Sequence, residues 1–176
     1  MNSEIKELLE GVKNGTVSVD QALLELKKEP FKDLGFAKVD FHRKIRQGTS
    51  EVIYGEGKTS EQIIKIVQAM QDQGTKTILI TRLSKQKAEE INKTIQIDYK
   101  ENARLAIAGK IPEPDGNGTI VVATGGTSDM PVAEEAAFTA EVLGNKVVRL
   151  YDVGVAGLHR LLSNLDPIMS ATAIIA

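Results

Sequence analysis

A chain of 176 residues with a formal net charge of −2 has no basic excess to hold nucleic acid. It also lacks the run of about 18 apolar residues that a membrane-spanning helix needs. A hydrophobic content of 41% and a charged content of 26% are ordinary for a globular protein, and the length suits one domain or two small ones. Zero cysteines exclude a disulfide, a thiolate metal site and a cysteine nucleophile within these residues.

In chain order, Ile5, Leu8, Leu9 and Val12 recur at helical spacing until Asn14-Gly15 breaks the pattern. Ser18 and Gln21 have the spacing of a capping box, and Ala22, Leu23 and Leu26 continue a second helix that must end before Pro30. This helical hairpin presents packing faces rather than chemistry. Glu51–Tyr54 predicts a short strand and 55–58 a turn. Thr59 and Gln62 cap a helix through Met70, closed by Gly74, and Thr77–Thr81 is the next strand, which together make a βαβ unit. Lys85–Asn92 predicts a helix and Thr94–Asp98 a further strand. Two prolines and two glycines in 112–118 mark a boundary, so the domains are expected at 1–112 and 118–176. Beyond it come a strand at 119–123, a helix at 131–143 closed by Gly144, a strand at 146–151, a helix at 157–164 and a last strand at 171–176. A parallel strand needs a neighbour and a covering helix, so the chain is expected to be a truncated form or to have its sheet completed by partner chains.

Two turns carry the chemistry. In Ala123-Thr124-Gly125-Gly126-Thr127-Ser128-Asp129-Met130-Pro131, glycines permit close backbone approach, Thr127 and Ser128 supply hydroxyls, and Asp129 either caps the following helix or acts in catalysis. Pro131 fits a first helical turn, and backbone N–H groups at that helix start form a place for a phosphate or carboxylate. Glu134 and Glu135 follow, where acidic side chains also stabilise the helix dipole. The second turn, Asp152 to Arg160, brings His159 as a proton-transfer group beside the obligate cation Arg160. Two such turns at the carboxyl ends of successive strands point to one site.

Other motifs weigh less. Gly57-Lys58-Thr59 has the end of a phosphate-binding P-loop, but Val52 stands where its first glycine is required, so a capped helix with Lys58 near its N-terminus is the better reading. Asp40, Arg43 and Arg46 fall at three-residue spacing, which on a helix gives either a solvated basic face or an anion contact. His42 alone is weak evidence. The sequence has no GxSxG, HExxH or GxGxxG, which argues against a serine hydrolase, a zinc protease and a Rossmann dehydrogenase.

Gly126 to Ala136 with Asp152 to Leu162 resembles the LarB family, which makes pyridinium-3,5-biscarboxylic acid mononucleotide, the first intermediate of the nickel-pincer nucleotide cofactor. The stretch Asp40-x-x-Arg43-x-x-Arg46-x-Gly48-x-x-Glu51-Val52-Ile53-Tyr54-Gly55-x-Gly57-Lys58-Thr59, ending in Thr81-Arg82, is similar to that family's N-terminal signature. More distantly, the Ser-Asp-x-Pro turn and the later His-Arg resemble PurE, the aminoimidazole ribonucleotide carboxylase and mutase. The resemblance implies an α/β fold: an N-terminal helical hairpin with a small α/β domain, then an incomplete PurE-like, flavodoxin-like three-layer parallel-sheet domain. It implies a homo-oligomer, an octamer in the complete protein, and no nucleic-acid or membrane partner. It implies carboxylation of nicotinic acid adenine dinucleotide at pyridinium C5 by CO2 or bicarbonate, with phosphoanhydride hydrolysis releasing AMP, in support of lactate racemase maturation.

By that resemblance Asp129, His159 and Glu134 are the catalytic candidates. Gly125, Gly126, Thr127, Ser128, Glu135, Arg160, Arg43, Arg46 and Lys58 are those for substrate binding. No metal site is expected from the residues, Mg2+ is admitted as an aid to hydrolysis, and the location is cytoplasmic because signals for any other are missing. The family's thiolate, which adds transiently to the ring, lies in a C-terminal segment this chain lacks, so the chain is expected to be incomplete for catalysis. The rival readings are a PurE-like carboxylase or mutase and a non-catalytic nucleotide-binding module.

Overall fold

A computed structural model describes residues 2–28, 31–40 and 51–176, which fall into two compact units, Met1–Ser50 and Glu51–Ala176. In the first, helix α1 (Asn2–Lys13) stops where Gly15 takes a φ of 75°. Helix α2 (Val19–Lys28) starts on the expected capping box: the Ser18 N–H donates to Gln21 Oε1 and the Gln21 N–H to Ser18 Oγ, both at 3.1 Å. Strands β1 (Phe31–Asp33) and β2 (Lys38–Asp40) form an antiparallel hairpin that no apolar alternation announced. Its turn is held by the Gly35 N–H donating to Asp33 Oδ1 at 2.7 Å, with Gly35 at a φ of 83°.

The second unit holds two sheets. In the first of them β3 (Ile53–Tyr54) lies parallel to β4 (Thr77–Thr81), joined by α3 (Ser60–Asp72) in the expected βαβ unit. Thr59 and Gln62 close α3's capping box from both sides. Helix α4 (Lys85–Asn92) packs on α3. The sheet is completed antiparallel by β6 (Leu105–Gly109) and β5 (Asp98–Lys100), in the order β3-β4-β6-β5.

Two strands here differ from the sequence reading. The strand expected at 94–98 begins only at Asp98, because the N–H groups of Lys93, Thr94 and Ile95 all turn back to carbonyls of α4's last turn. β6 went unrecognised since it is an interior strand buried on both faces, so Leu105-Ala106-Ile107-Ala108 shows no alternation to read.

The second sheet is parallel throughout, in the order β8-β7-β9, from β7 (Thr119–Ala123), β8 (Lys146–Leu150) and β9 (Ala173–Ile175). Helix α5 (Met130–Val142) connects β7 to β8, and α6 (Leu158–Leu162) and α7 (Leu165–Met169) connect β8 to β9. The two crossovers cover opposite faces. Ala133 and Ala137 of α5 pack on Val122, Ile120 and Val147, while Leu161 and Ile168 pack on Val121 and Leu150. Helix, sheet and helix make three layers, with the strand order of a doubly wound fold. The mixed α/β class expected from the sequence is what the chain adopts.

Helix α5 is shared. Its alanine side lies on the parallel sheet, while Phe138 and Val142 pack on Leu79, Leu105 and Ile107 of the mixed sheet. A helix packed on both sheets needs apolar or small residues on two sides, which Ala133 and Ala137, and Phe138 and Val142, supply. The proline-bearing segment after β6 is tied to α5's far end: the N–H groups of Asp115 and Gly116 donate to the Gly144 carbonyl at 3.0 and 3.1 Å. Gly144 has a φ of 81°, as a residue just past a helix C-cap commonly has. Among the described residues no helix is long and apolar enough to cross a membrane.

Candidate active site at the strand ends of the parallel sheet

In a doubly wound sheet, ligands bind beyond the carboxyl ends of the strands where successive connections leave on opposite faces. Here that place lies between β7 and β9. A cleft of about 340 Å³ opens there, lined by Ala123, Thr124, Gly125 and Asp129 from the end of β7 and its turn, and by Ile175 of β9. Val132, Ala133 and Ala136 of α5 close one wall, with Val153 and Leu161 opposite. Asp129 is the one ionisable side chain among the described lining residues, which Ala176 completes, so the side-chain lining is mostly apolar.

The turns that frame it are locked together by backbone. The Thr124 N–H donates to the Leu150 carbonyl at 3.0 Å, the Val153 N–H to that of Thr124 at 2.9 Å, and the Gly154 N–H to that of Gly125 at 3.1 Å. These bonds continue the β7–β8 pairing past the end of the sheet. They bring the chain so close that a Cβ on Gly154 would lie 3.1 Å from the Gly125 carbonyl carbon, so the glycine is there for a close approach. Buried Thr124 adds a side-chain tie: its Oγ1 accepts from the Asp152 N–H at 3.2 Å. Asp152 has a φ of 58°, a left-handed conformation that aspartate tolerates better than most residues, and its carboxylate is ion-paired with Arg160.

Asp129 precedes α5 at the end of a single 3-10 turn (Thr127–Asp129). Its Oδ2 accepts from the Gly126 N–H at 3.1 Å, which aims the exposed carboxylate back over the turn. Thr127 and Ser128 are exposed on that turn and are not cleft-lining residues. His159 is exposed on α6, on the same short helix as the lining residue Leu161, and Arg160 turns its guanidinium to Asp152.

The glutamate pair lies on the flanks of α5 in ion pairs. Glu134 accepts from Arg149 Nε at 3.1 Å; Arg149, on β8, also donates through Nη2 to Glu141 at 3.1 Å and stacks 4.9 Å from the Phe138 ring centre. These carboxylates push the Arg149 pKa upward, the Glu141 hydrogen bond first among the causes, although burial works against it. Beside Glu134, the Tyr151 hydroxyl is buried without a hydrogen-bond partner among the described residues. Burial, and then the neighbouring Glu134, pushes the Tyr151 pKa up to about 12. Glu135 pairs with Arg82, just past β4, at 2.7 Å. Lys58 Nζ donates to the Tyr54 carbonyl at 3.1 Å, inside the turn after β3. Arg43, Arg46 and His42 lie outside the described residues.

Sequence reasoning did not single out Thr124, Asp152 or Arg82. For Thr124 and Asp152 the available signal was position, each standing at or just past a strand's carboxyl end. Arg82 was visible within the Thr81-Arg82 end of the N-terminal signature, without a role. Among the described residues no group of three or more His, Asp or Glu side chains is placed to hold a metal ion.

With this geometry in place, comparison with known proteins decides the family. Residues 31–110 match the domain described as the LarB/PurE-like N-terminal domain. The chain belongs to the LarB family. It is also 35% identical over 168 residues to an uncharacterized protein of Methanocaldococcus jannaschii, an alignment covering 92% of this chain and 66% of that protein. The chain therefore spans about two thirds of the length of this relative. In this LarB-family chain the domain match takes in Tyr54, the turn at 55–58 and Arg82, and ends before the parallel sheet that carries the cleft.

Proposed function

We propose that this protein is a carboxylase of the LarB type: it carboxylates the pyridinium ring of nicotinic acid adenine dinucleotide and hydrolyses its phosphoanhydride, giving pyridinium-3,5-biscarboxylic acid mononucleotide and AMP. The observation that carries the reading is the cleft at the ends of β7 and β9 in a LarB-family chain. Its walls are mostly apolar, and Asp129 is the one ionisable side chain among the described residues that line it. A flat cationic ring suits such a site better than a phosphate does, since the apolar walls take the ring faces and the carboxylate offsets the charge.

A pyridinium ring is electron-poor and does not attack CO2. Addition of a nucleophile turns it into a dihydropyridine with an enamine-like carbon; that carbon forms the new C–C bond to CO2. Loss of the proton it carried and expulsion of the nucleophile then restore the aromatic ring. In this reading Asp129, whose carboxylate accepts from the Gly126 N–H, takes that proton. These 176 residues contain no cysteine, so a thiolate nucleophile is not supplied from within them. Assembly of the protein as an octamer in the bacterial or archaeal cytoplasm belongs to the same proposal.

The test is a product assay by mass spectrometry. The protein is incubated with the dinucleotide, isotopically labelled bicarbonate and Mg2+. Label in a biscarboxylated mononucleotide, with AMP formed alongside, is the result expected from a form extended past Ala176, run beside these 176 residues, which lack the thiol. Labelled product from an aminoimidazole ribonucleotide instead would move the assignment to a PurE-like carboxylase. Thermal stabilisation by the dinucleotide with no turnover would make the protein a binding module.

A further inference from the structure

Three arginines pair with carboxylates around α5 and the cleft, and they are used to different extents. Arg149 spends Nε and both terminal nitrogens on Glu134 and Glu141. Arg160 is held by Asp152 against the backbone of Gly157. Arg82 approaches Glu135 most closely through Nε, at 2.7 Å, and its two terminal nitrogens make no hydrogen bond among the described residues. Its side chain is 40% exposed. Glu135 sits on α5 one turn on from Val132 and next to Ala136, both cleft-lining residues, while Glu135 and Arg82 themselves lie outside the lining.

The backbone at Arg82 takes a conformation that its side chain does not favour. Its φ is 53°, a left-handed conformation uncommon for arginine. It is held there from both sides: the Gly55 N–H donates to the Thr81 carbonyl at 2.8 Å and the Leu83 N–H to the Arg104 carbonyl at 2.6 Å. Glycine would adopt this φ freely, yet the position carries a long cation that turns out toward α5. Left-handed residues of this kind gather where a side chain must be presented. Tyr54, on the neighbouring strand end opposite Thr81, exposes its ring beside it.

We infer that the open N–H fork of Arg82 receives a phosphate-class oxyanion of the ligand, with Glu135 holding the guanidinium in place through Nε. The inference rests on the proposed reading only in taking the cleft as the ligand site. It adds what the cleft lacks, a positive group, and it places phosphate at the rim and the ring inside. Two terminal nitrogens side by side match the bidentate geometry of phosphate oxygens.

Titration calorimetry with inorganic pyrophosphate tests it without requiring turnover. The wild-type protein is expected to bind pyrophosphate, and Arg82→Gly to weaken that binding about 10-fold or more, as loss of charge-assisted hydrogen bonds implies. Melting should stay near wild type in Arg82→Gly, because glycine relaxes the backbone. Arg82→Lys, which keeps the charge but not the fork, should fall between the two and decides the matter if the glycine variant does not fold. Glu135→Gln should weaken binding in the wild-type background and change nothing in Arg82→Gly. Unchanged affinity in Arg82→Gly or Arg82→Lys, or no pyrophosphate binding by the wild-type protein, would overturn the inference. The labelled-bicarbonate assay can fail while this binding holds, and the reverse, so the two claims fall separately.

Discussion

Substituting Gly154 with alanine tests whether the two turns are held at their contact limit. Gly154 has φ −62° and ψ 155°, which alanine adopts without strain, so any effect comes from the added methyl. That methyl would lie 3.1 and 3.2 Å from the carbonyl carbon and Cα of Gly125, and well inside the contact distance of the carbonyl oxygen. Carbon atoms settle at about 3.5–4.0 Å, so one backbone must move by roughly half an ångström. The group in the way is a backbone, which cannot rotate aside as a flexible side chain can. Overpacking of this kind costs about 1–3 kcal/mol. Stiffening the unfolded chain returns about 0.4–1 kcal/mol, which leaves a net loss of about 0–2.6 kcal/mol, centred on about 1.3 kcal/mol. The displaced segment, Thr124 and Gly125, also lines the cleft, so ligand affinity should fall with it. Urea unfolding reads the first effect as a lower midpoint at unchanged slope, and calorimetry with the dinucleotide reads the second. Gly57→Ala is the control: nothing lies within 4 Å of a Cβ there, and stability should stay within about 0.5 kcal/mol. A Gly154→Ala protein as stable as wild type, with unchanged affinity, would refute the close-approach argument.

Three more outcomes follow from the same geometry. Asp129→Asn should cut turnover far more than stability, because the amide oxygen can still accept from the Gly126 N–H, 3.1 Å away, but cannot take a proton; equal losses in rate and urea midpoint would make Asp129 a structural residue only. Arg149→Met should cost about 1–3 kcal/mol in urea unfolding, since it strands the half-buried Glu134 and Glu141 carboxylates, and a loss within 0.5 kcal/mol would show that those pairs contribute nothing. Tyr151, raised to about 12 in the folded protein against 10.0 for an unperturbed tyrosine, binds its proton more tightly when folded. Its share of stability is therefore present below pH 10 and lost as pH rises from 10 to 12. Melting curves of Tyr151→Phe should fall less steeply than wild type across that window, and parallel curves would contradict the assignment.

What could be read from the sequence was local. The Ser18–Gln21 and Thr59–Gln62 capping boxes, the βαβ unit and the helix ending at Gly144 depend on residues a few positions apart, and all four stand in the structure. What escaped depends on neighbours distant in the chain. β6 is a strand because β4 and β5 flank it, and Ala106 and Ala108 give no local signal for that. Glu134 and Glu135 look alike in the sequence, but Arg149 lies on one flank of α5 and Arg82 on the other, and nothing in the local pattern names either partner. The placement of Thr124 and Asp152 likewise follows from the strand order β8-β7-β9, which sets the two turns side by side. At the cleft itself, the turn from Gly125 to Asp129 was legible because its residue types are the ones a tight strand-to-helix turn needs.

The central claim is that the cleft between the ends of β7 and β9 holds the reacting ring. A crystal structure of the protein with nicotinic acid adenine dinucleotide tests it most directly. The account expects the pyridinium ring between Val132, Ala136 and Ile175, with the Asp129 carboxylate beside it. A dinucleotide bound with its ring elsewhere, leaving this cleft to solvent, would contradict it.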